Sequence, residues 1–405
     1  MQMHALSLQQ FRSYTKETFQ FSPSVTLVIG PNTAGKTNIL EAIFCLATGK
    51  SFRAERESDM VQWGEEIARI RATANQTNPT NLTNQTNKLD KLENDEMLLE
   101  LVITTGEVNG EKTPTKKYLV NGVPRRQIDF VGNLRAVLFS PEDLDLITDS
   151  PSLRRNFLNS ILIQTDREYR RNLYSYERGL RQRNKLLDLI NEGKAHRSQL
   201  LFWNQLLIAS GTYITQKRQE LIEYINNQKT EDGRRKTEDG RQKTEDRERK
   251  TENGKEKIKF DYQIVYDKSV ISESRLEQYK DEEVAAKTTL VGPQRDDFVV
   301  TKSQNSNLND QQGMCRDVSR FGSRGEQRLA VLWLKLAELS YIESQTGERP
   351  ILLLDDIFSE LDSESRELVL SIIYMQQTII TSAEEIIVEI FEKKENIKVI
   401  RLPIL

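Results

Sequence analysis

The stretch that most constrains this chain is Gly30-Pro31-Asn32-Thr33-Ala34-Gly35-Lys36-Thr37. It follows the β-branched apolar run Val25-Thr26-Leu27-Val28-Ile29 and leads into residues 38–46, where Ile39, Leu40, Ile43 and Phe44 share one helical face. Buried strand, glycine loop and helix, in that order, is the context in which GxxxxGK[ST] cradles phosphates. The glycines let backbone N–H groups turn inward, and the helix N-terminus adds partial positive charge. Gly30, Pro31, Asn32, Thr33, Ala34, Gly35, Lys36 and Thr37 are therefore the expected nucleotide-binding residues. Lys36 is expected on the β- and γ-phosphates, and Thr37 on Mg²⁺.

The other half of such a site comes late in the chain. Ile351-Leu352-Leu353-Leu354 reads as a buried strand ending in Asp355-Asp356. An aspartate there can hold Mg²⁺ opposite Thr37, and the next carboxylate can orient an attacking water. Asp355 is thus the expected metal partner of Thr37, and Asp356 and Lys36 are the expected catalytic residues.

Composition limits the alternatives. The 405 residues carry 58 Lys+Arg and 61 Asp+Glu, a net charge of −3, so a nucleic-acid site has to be a local patch. Two cysteines, Cys45 and Cys315, and two histidines, His4 and His196, exclude a disulfide framework and a Cys/His zinc cage. No run approaches the roughly 18 apolar residues of a membrane span. The first residues lack the basic and apolar regions of a signal peptide, so a cytoplasmic protein is expected.

Hydrophobic residues make up 37%, and two biased segments explain why the share is low. One begins at Asn75 and repeats asparagine at Asn78, Asn81, Asn84 and Asn87. The other repeats KTEDGRR-like heptads from Lys229 to Glu256 with no apolar residue to form a seam. Both read as solvated, disordered insertions, at about 75–96 and 229–256. The remainder falls into three blocks. Residues 1–144 read as strands with one clear helix, 145–289 as mostly helical, and 290–405 as alternating strand and helix. The first and third blocks are expected to join into one α/β unit with the helical block inserted.

That helical block holds a local basic excess. Arg154, Arg155, Arg170, Arg171, Arg181, Arg183 and Lys185 could neutralise the phosphates of a nucleic acid, and the alternative is an ordinary solvated basic face. Leu173, Tyr176, Leu180 and Leu187 are spaced for a helix packed on a neighbour, with residues 200–225 as the antiparallel partner. A helix of roughly forty residues would span about 60 Å.

Further stretches carry a resemblance. Phe321-Gly322-Ser323-Arg324-Gly325-Glu326-Gln327-Arg328 opens an apolar helix and resembles the signature motif of ABC-type ATPases; Ser359-Glu360-Leu361-Asp362 resembles their D-loop. Leu8-Gln9-Gln10-Phe11-Arg12-Ser13-Tyr14, residues 137–144, residues 150–158 and Leu290-Val291-Gly292-Pro293-Gln294-Arg295-Asp296-Asp297 narrow it. In this order they resemble the RecF family of bacterial recombination mediators, from residue 6 to about residue 382.

The resemblance implies an ABC/SMC-type P-loop ATPase head with an inserted helical arm. It implies ATP and Mg²⁺ as cofactors and an ATP-dependent head-to-tail homodimer, with Ser323 and Gly325 capping the partner's nucleotide. It also implies binding to single-stranded, double-stranded and junction DNA, RecR- and RecO-type partners, and work in repair, replication and the SOS response. The chain departs from the general pattern in two places. Asp356 stands where transporter-type relatives have glutamate, so slow, switch-like and DNA-stimulated turnover is expected. Ile380-Thr381-Ser382-Ala383 replaces the switch histidine, and a hydroxyl there is expected to sense the γ-phosphate. A transporter-coupled ATPase and a P-loop small-molecule kinase are the alternatives. The first is disfavoured by the missing histidine and the arm, the second by the motif at Ser323.

Overall fold

Both ends of the chain contribute to one parallel sheet. The computed structural model describes residues 1–75, 96–228, 260–303, 315–359, 361–391 and 397–403. Strands β1 (Gln2–Phe11) and β2 (Tyr14–Gln20) form a hairpin, and β3 (Val25–Ile29) runs through the glycine loop into α1 (Lys36–Thr48). With β4 (Ile67–Asn75), β5 (Glu96–Thr104), β6 (Lys116–Val120) and β7 (Val123–Arg125), the hairpin completes an antiparallel sheet ordered β2-β1-β4-β5-β6-β7. Next come β8 (Ala136–Phe139) and the helices α2 (Pro151–Thr165), α3 (Arg167–Asn191) and α4 (Leu201–Asn227). They are followed by β9 (Tyr262–Asp267), the short α5 (Lys280–Ala286), β10 (Asp297–Ser303) and β11 (Cys315–Asp317). The chain ends with α6 (Arg324–Thr346), β12 (Ile351–Asp355), α7 (Ser363–Ile372), β13 (Thr378–Ser382) and β14 (Ile397–Arg401).

The parallel sheet has the order β8-β12-β13-β3-β14. Its central strands are buried on both faces, which is why Val25–Ile29 and Ile351–Leu354 are rich in aliphatic residues, while β13 buries the hydroxyls of Thr378, Thr381 and Ser382. Alternate residues serve two cores. Ile351, Leu353 and Ile379 pack with α1 and the inner face of the antiparallel sheet. Leu352, Leu354 and Ile380 pack with α2, α6 and the arm helices. Helix α1 was expected to bury one face; it is buried almost all round, Glu41 included. Arg12 makes that possible by donating to both Glu41 oxygens, at 2.9 and 2.6 Å.

Helices α3 and α4 lie antiparallel, as their cross-contacts show. Arg218 bonds Tyr169, Tyr176 crowds Gly211, Leu207 crowds Gly179, and Arg183 bonds Asn204. The helices have 25 and 27 residues, each about 40 Å long, so the arm is shorter than the sequence suggested. A three-stranded sheet pairs β9 with β10 and β10 with β11. The boundary expected at 289/290 therefore runs through a sheet, and residues 262–267 are a strand inside the block read as helical. Asn75 pairs with Glu96 across β4 and β5. Residues 76–95 of the asparagine-rich segment and the whole heptad repeat at 229–256 lie outside the described residues. Among the described residues no helix is long and apolar enough to cross a membrane.

Candidate nucleotide-binding site

Strands β3, β12 and β13 end at one edge of the sheet, in register at Ile29 with Ser382 and at Thr381 with Asp355. Chain segments diverge at such an edge and leave a crevice. The loop from Gly30 to Gly35 leaves it with Thr33 at φ 74° and Gly35 at φ 86°. At Gly35 the left-handed backbone favours glycine, and a Cβ would meet the Tyr14 hydroxyl at 2.7 Å. Tyr14 donates that hydroxyl to the Gly35 carbonyl at 3.1 Å, and Asn38 of α1 donates to Ser13 Oγ at 2.9 Å. The β1–β2 hairpin thus braces the loop from one side. Burial, helped by Glu17, pushes the Tyr14 phenol well above its ordinary pKa, so it stays a donor.

Lys36 folds back on the loop, donating from Nζ to the Gly30 carbonyl at 2.8 Å and the Pro31 carbonyl at 2.9 Å. Burial pulls its pKa down, while Asp356 and Asp355 push it up. Opposite stands Asp355, whose Oδ1 accepts from Thr381 Oγ1 at 2.6 Å and from Thr37 Oγ1 at 3.1 Å. Burial raises the Asp355 pKa, against those two hydrogen bonds, and the negative charges of Glu142 and Asp356 raise it further. A hydroxyl and a carboxylate side by side, with more negative charge near, are hard oxygen donors that fit Mg²⁺. That ion commonly takes one or two protein ligands beside phosphate oxygens. The Asp356 N–H makes a last ladder bond to the Thr381 carbonyl at 3.2 Å, and the φ of 51° at Asp356 ends the strand there. In the stretch 380–383, where a hydroxyl was expected to sense the γ-phosphate, the Thr381 hydroxyl donates to Asp355 and orients that carboxylate, while Ser382 Oγ accepts the Glu384 N–H at 3.0 Å.

The signature segment has its own local logic. Ser323 caps α6, accepting from the Glu326 N–H at 3.3 Å, while Glu326 Oε2 accepts from the Ser323 N–H at 2.9 Å. Lys302, at 2.9 Å, and Arg316 hold Glu326 Oε1. Lys302 and the Ser323 backbone lead in lowering the Glu326 pKa to about 2. Ser323, Arg324 and Gly325 are exposed, and the nearest atom to a Cβ at Gly325 is Ser323 Oγ at 4.0 Å. A 23-residue helix therefore presents an open N-terminus to solvent, which favours an anion. In the D-loop segment Asp362 caps α7 by accepting from the Ser365 N–H at 2.8 Å; Glu360 lies outside the described residues.

The basic candidates of the arm divide sharply. Arg183 is corrected outright: it is buried and donates to Glu283, Thr289 and Asn204. Arg154 forks onto Asp297, Arg155 donates to the Asp296 carbonyl, and Arg170 donates to the carbonyls of Ile128 and Ile163. These four are engaged inside the fold: Arg154 and Arg155 tie α2 to the start of β10, Arg170 ties α3 to residues 128 and 163, and Arg183 ties α3 to α4 and α5. Arg171, Arg181 and Lys185 are exposed on α3.

A family model described as RecF/RecN/SMC N terminal domain matches residues 2–401. The chain is 33% identical over 391 residues to the DNA replication and repair protein RecF of Lachnoclostridium phytofermentans, over 94% of this chain and 92% of that one. This chain belongs to the RecF family. Its similarity to the RecF protein of Halalkalibacterium halodurans is 34% over 394 residues, covering 94% and 92% of the two chains. A solved structure described as the recombination mediator protein RecF-ATP in the RecFOR pathway aligns with a TM-score of 0.72 at 26% identity. It covers 95% of this chain and 92% of that one. A second, described as RecF-ATPrS, gives a TM-score of 0.71 at the same identity and coverage. The fold is thus the ATPase head shared by RecF proteins, with mixed α/β layers.

Sequence reasoning left several site residues without a role. Tyr14, Arg12 and Glu41 entered only through the resemblance or not at all, since a hairpin bracing a distant loop leaves no local pattern. The Ser323–Glu326 capping box was visible as S-x-x-E before an apolar run. Arg178, exposed beside Arg181 and Lys185 on α3, was passed over within the basic block.

Proposed function

We propose that this chain is an ATP-gated, DNA-binding recombination mediator of RecF type, acting in recombinational repair, replication and the SOS response. The observation that carries the reading is the hydrogen bond from Thr37 to Asp355, which joins the two halves of a phosphate and metal site. Lys36 would exchange the Gly30 and Pro31 carbonyls for the β- and γ-phosphates of ATP. Thr37 and Asp355 would hold Mg²⁺, which supplies neutralising charge to the phosphates when bound. Asp356 would orient the attacking water. An aspartate is one methylene shorter than glutamate, so turnover is slow and serves as a timed switch.

The solvent exposure of Ser323 and Gly325 supports a second copy as the source of the cap over each nucleotide. The assembly is then a head-to-tail homodimer, formed with ATP and loosened on hydrolysis. DNA would lie on the exposed strip of α3 formed by Arg171, Arg178, Arg181 and Lys185, at spacings of seven, three and four. Those cations can neutralise phosphates without reading bases. Gaps and single-strand/double-strand junctions are the proposed targets, RecR- and RecO-type proteins the proposed partners, and the cytoplasm the proposed location. No observation favours the transporter or kinase alternatives.

The test is fluorescence anisotropy of gapped duplex DNA at moderate salt, with and without Mg-ATP. Tight binding only with ATP, abolished by Lys36→Ala, is the expected result. Binding indifferent to ATP would separate the nucleotide from the DNA role.

A further inference from the structure

A buried charge cluster that the nucleotide chemistry does not use joins the signature helix to the neighbourhood of the metal carboxylate. Lys335 lies on α6, about three turns beyond Ser323. Its Nζ is 3.0 Å from Asp143 Oδ1 and 3.4 Å from Glu338 Oε2, and all three side chains are largely withdrawn from solvent. Glu338 Oε2 accepts no hydrogen bond. The other Asp143 oxygen accepts the Ser140 N–H at 2.7 Å. Ser140 follows β8, which pairs with β12 just before Asp355. Between Ser140 and Asp143 lies Glu142, whose charge reaches Asp355.

One lysine here faces two carboxylates. Burial, with the charge of Asp143 added, pushes the Glu338 pKa up to about 7 despite Lys335. Burial opposes the charge of Lys335, yet Asp143 and Glu338 more than offset it and hold its pKa above the ordinary value. Lys335 therefore stays charged and pairs chiefly with Asp143. A cavity of about 520 Å³ borders the cluster, with Phe44 of α1, Phe157 of α2 and Leu173 of α3 among its walls. At the cavity's edge the cluster adds a charged tie between α6 and the 140–143 loop, which also meet through Leu144 and Val331.

We propose that Lys335 is a positioning residue that makes α6 and the loop bearing Glu142 move together. A contact made at Ser323 by a second copy is then felt at Asp355. The inference rests on the ATP-dependent dimer proposed above.

The test uses the full chain, Lys335→Met, Lys335→Arg, and a neutral triple variant combining Lys335→Met, Asp143→Asn and Glu338→Gln. The asparagine keeps an oxygen for the Ser140 N–H. Three quantities are measured: melting temperature, affinity of the monomer for a fluorescent ATP analogue, and mass by light scattering in Mg-ATP. Wild type comes first. If it stays monomeric at saturating ATP, the functional reading fails before the inference is reached. If it dimerises, Lys335→Met should keep ATP affinity within about threefold while the protein concentration needed for dimerisation rises about tenfold or more. Lys335→Arg should restore much of that loss. Removing all three charges should recover the melting temperature that the single methionine variant loses, because no buried charge is left unpaired. It should not recover dimerisation. Wild-type dimerisation in the triple variant would make the cluster purely structural and overturn the proposal. Should the triple variant fail to fold, Asp143→Asn decides in its place: unchanged dimerisation overturns the proposal, and a weakened dimer with unchanged ATP affinity upholds it.

Discussion

Thr37 and Asp355 stand 318 positions apart in the chain and 3.1 Å apart in the fold. The bond exists because β3 and β12 flank β13 in a parallel sheet and end at the same edge. Thr381, at the end of β13, completes the arrangement by donating to the same Asp355 oxygen. A residue that orients a metal-binding carboxylate typically controls metal affinity. Thr381→Val should weaken the Mg²⁺ dependence of ATP binding about tenfold. ATP binding in excess chelator should be unchanged. Titrating Mg²⁺ against a fluorescent ATP analogue measures both.

The proposed roles, water orientation for Asp356 and metal binding for Asp355, separate kinetically. Asp356→Asn should lower ATP turnover by about tenfold or more with little change in ATP affinity. Single-turnover hydrolysis and equilibrium binding check this pair of outcomes. A parallel loss of affinity would move Asp356 into the binding set.

Glu326 links helix capping to pH. Its folded-state pKa lies near 2, below the ordinary 4.5, so the folded state favours the charged form. Stability from this group is fully present above about pH 4.5 and is lost as pH falls through about 2. Glu326→Ala should cost about 1 kcal/mol at neutral pH, the usual worth of a cap. Denaturant melts should show the difference between variant and wild type shrinking as pH drops from 5 to 2.

Arg183 and Arg181 are two positions apart on α3 and should behave in opposite ways. Arg183 and Glu283 form a buried ion pair with side chains 2% and 0% exposed. Glu283→Ala strands the guanidinium and should cost about 3–5 kcal/mol of stability. Arg181→Ala should leave the melting temperature unchanged, weaken DNA binding evenly across sequences, and reduce the salt slope by about one. Thermal melts and salt-dependent anisotropy distinguish the two.

The nucleotide loop and the Asp355 strand were legible because each depends on local pattern: β-branched runs, glycines and a helix start. What joins them was not, because register between strands three hundred residues apart leaves no periodic trace. The arm was legible as helical from its leucine spacing, but its length was overread. Helix α3 ends at Asn191, and the chain reverses through residues 192–200 into α4. Charge was the least legible property. Arg154, Arg155, Arg170 and Arg183 look like a solvated basic face in sequence. Asp297, the Asp296 carbonyl, the carbonyls of Ile128 and Ile163, and Glu283 claim them in the fold.

The central claim is a nucleotide site shared between two copies, and mixing two damaged chains tests it most directly. Lys36→Ala removes the lysine proposed to hold the phosphates, and Ser323→Arg blocks the proposed cap. Alone, each should be inactive in ATP hydrolysis. In a head-to-tail dimer, one site of each mixed pair combines an intact Lys36 with an intact Ser323. An equal mixture should then recover about a quarter of wild-type turnover per chain, since half the dimers are mixed and each has one good site. A mixture as inactive as its components, under conditions where wild type turns over, would contradict the shared site.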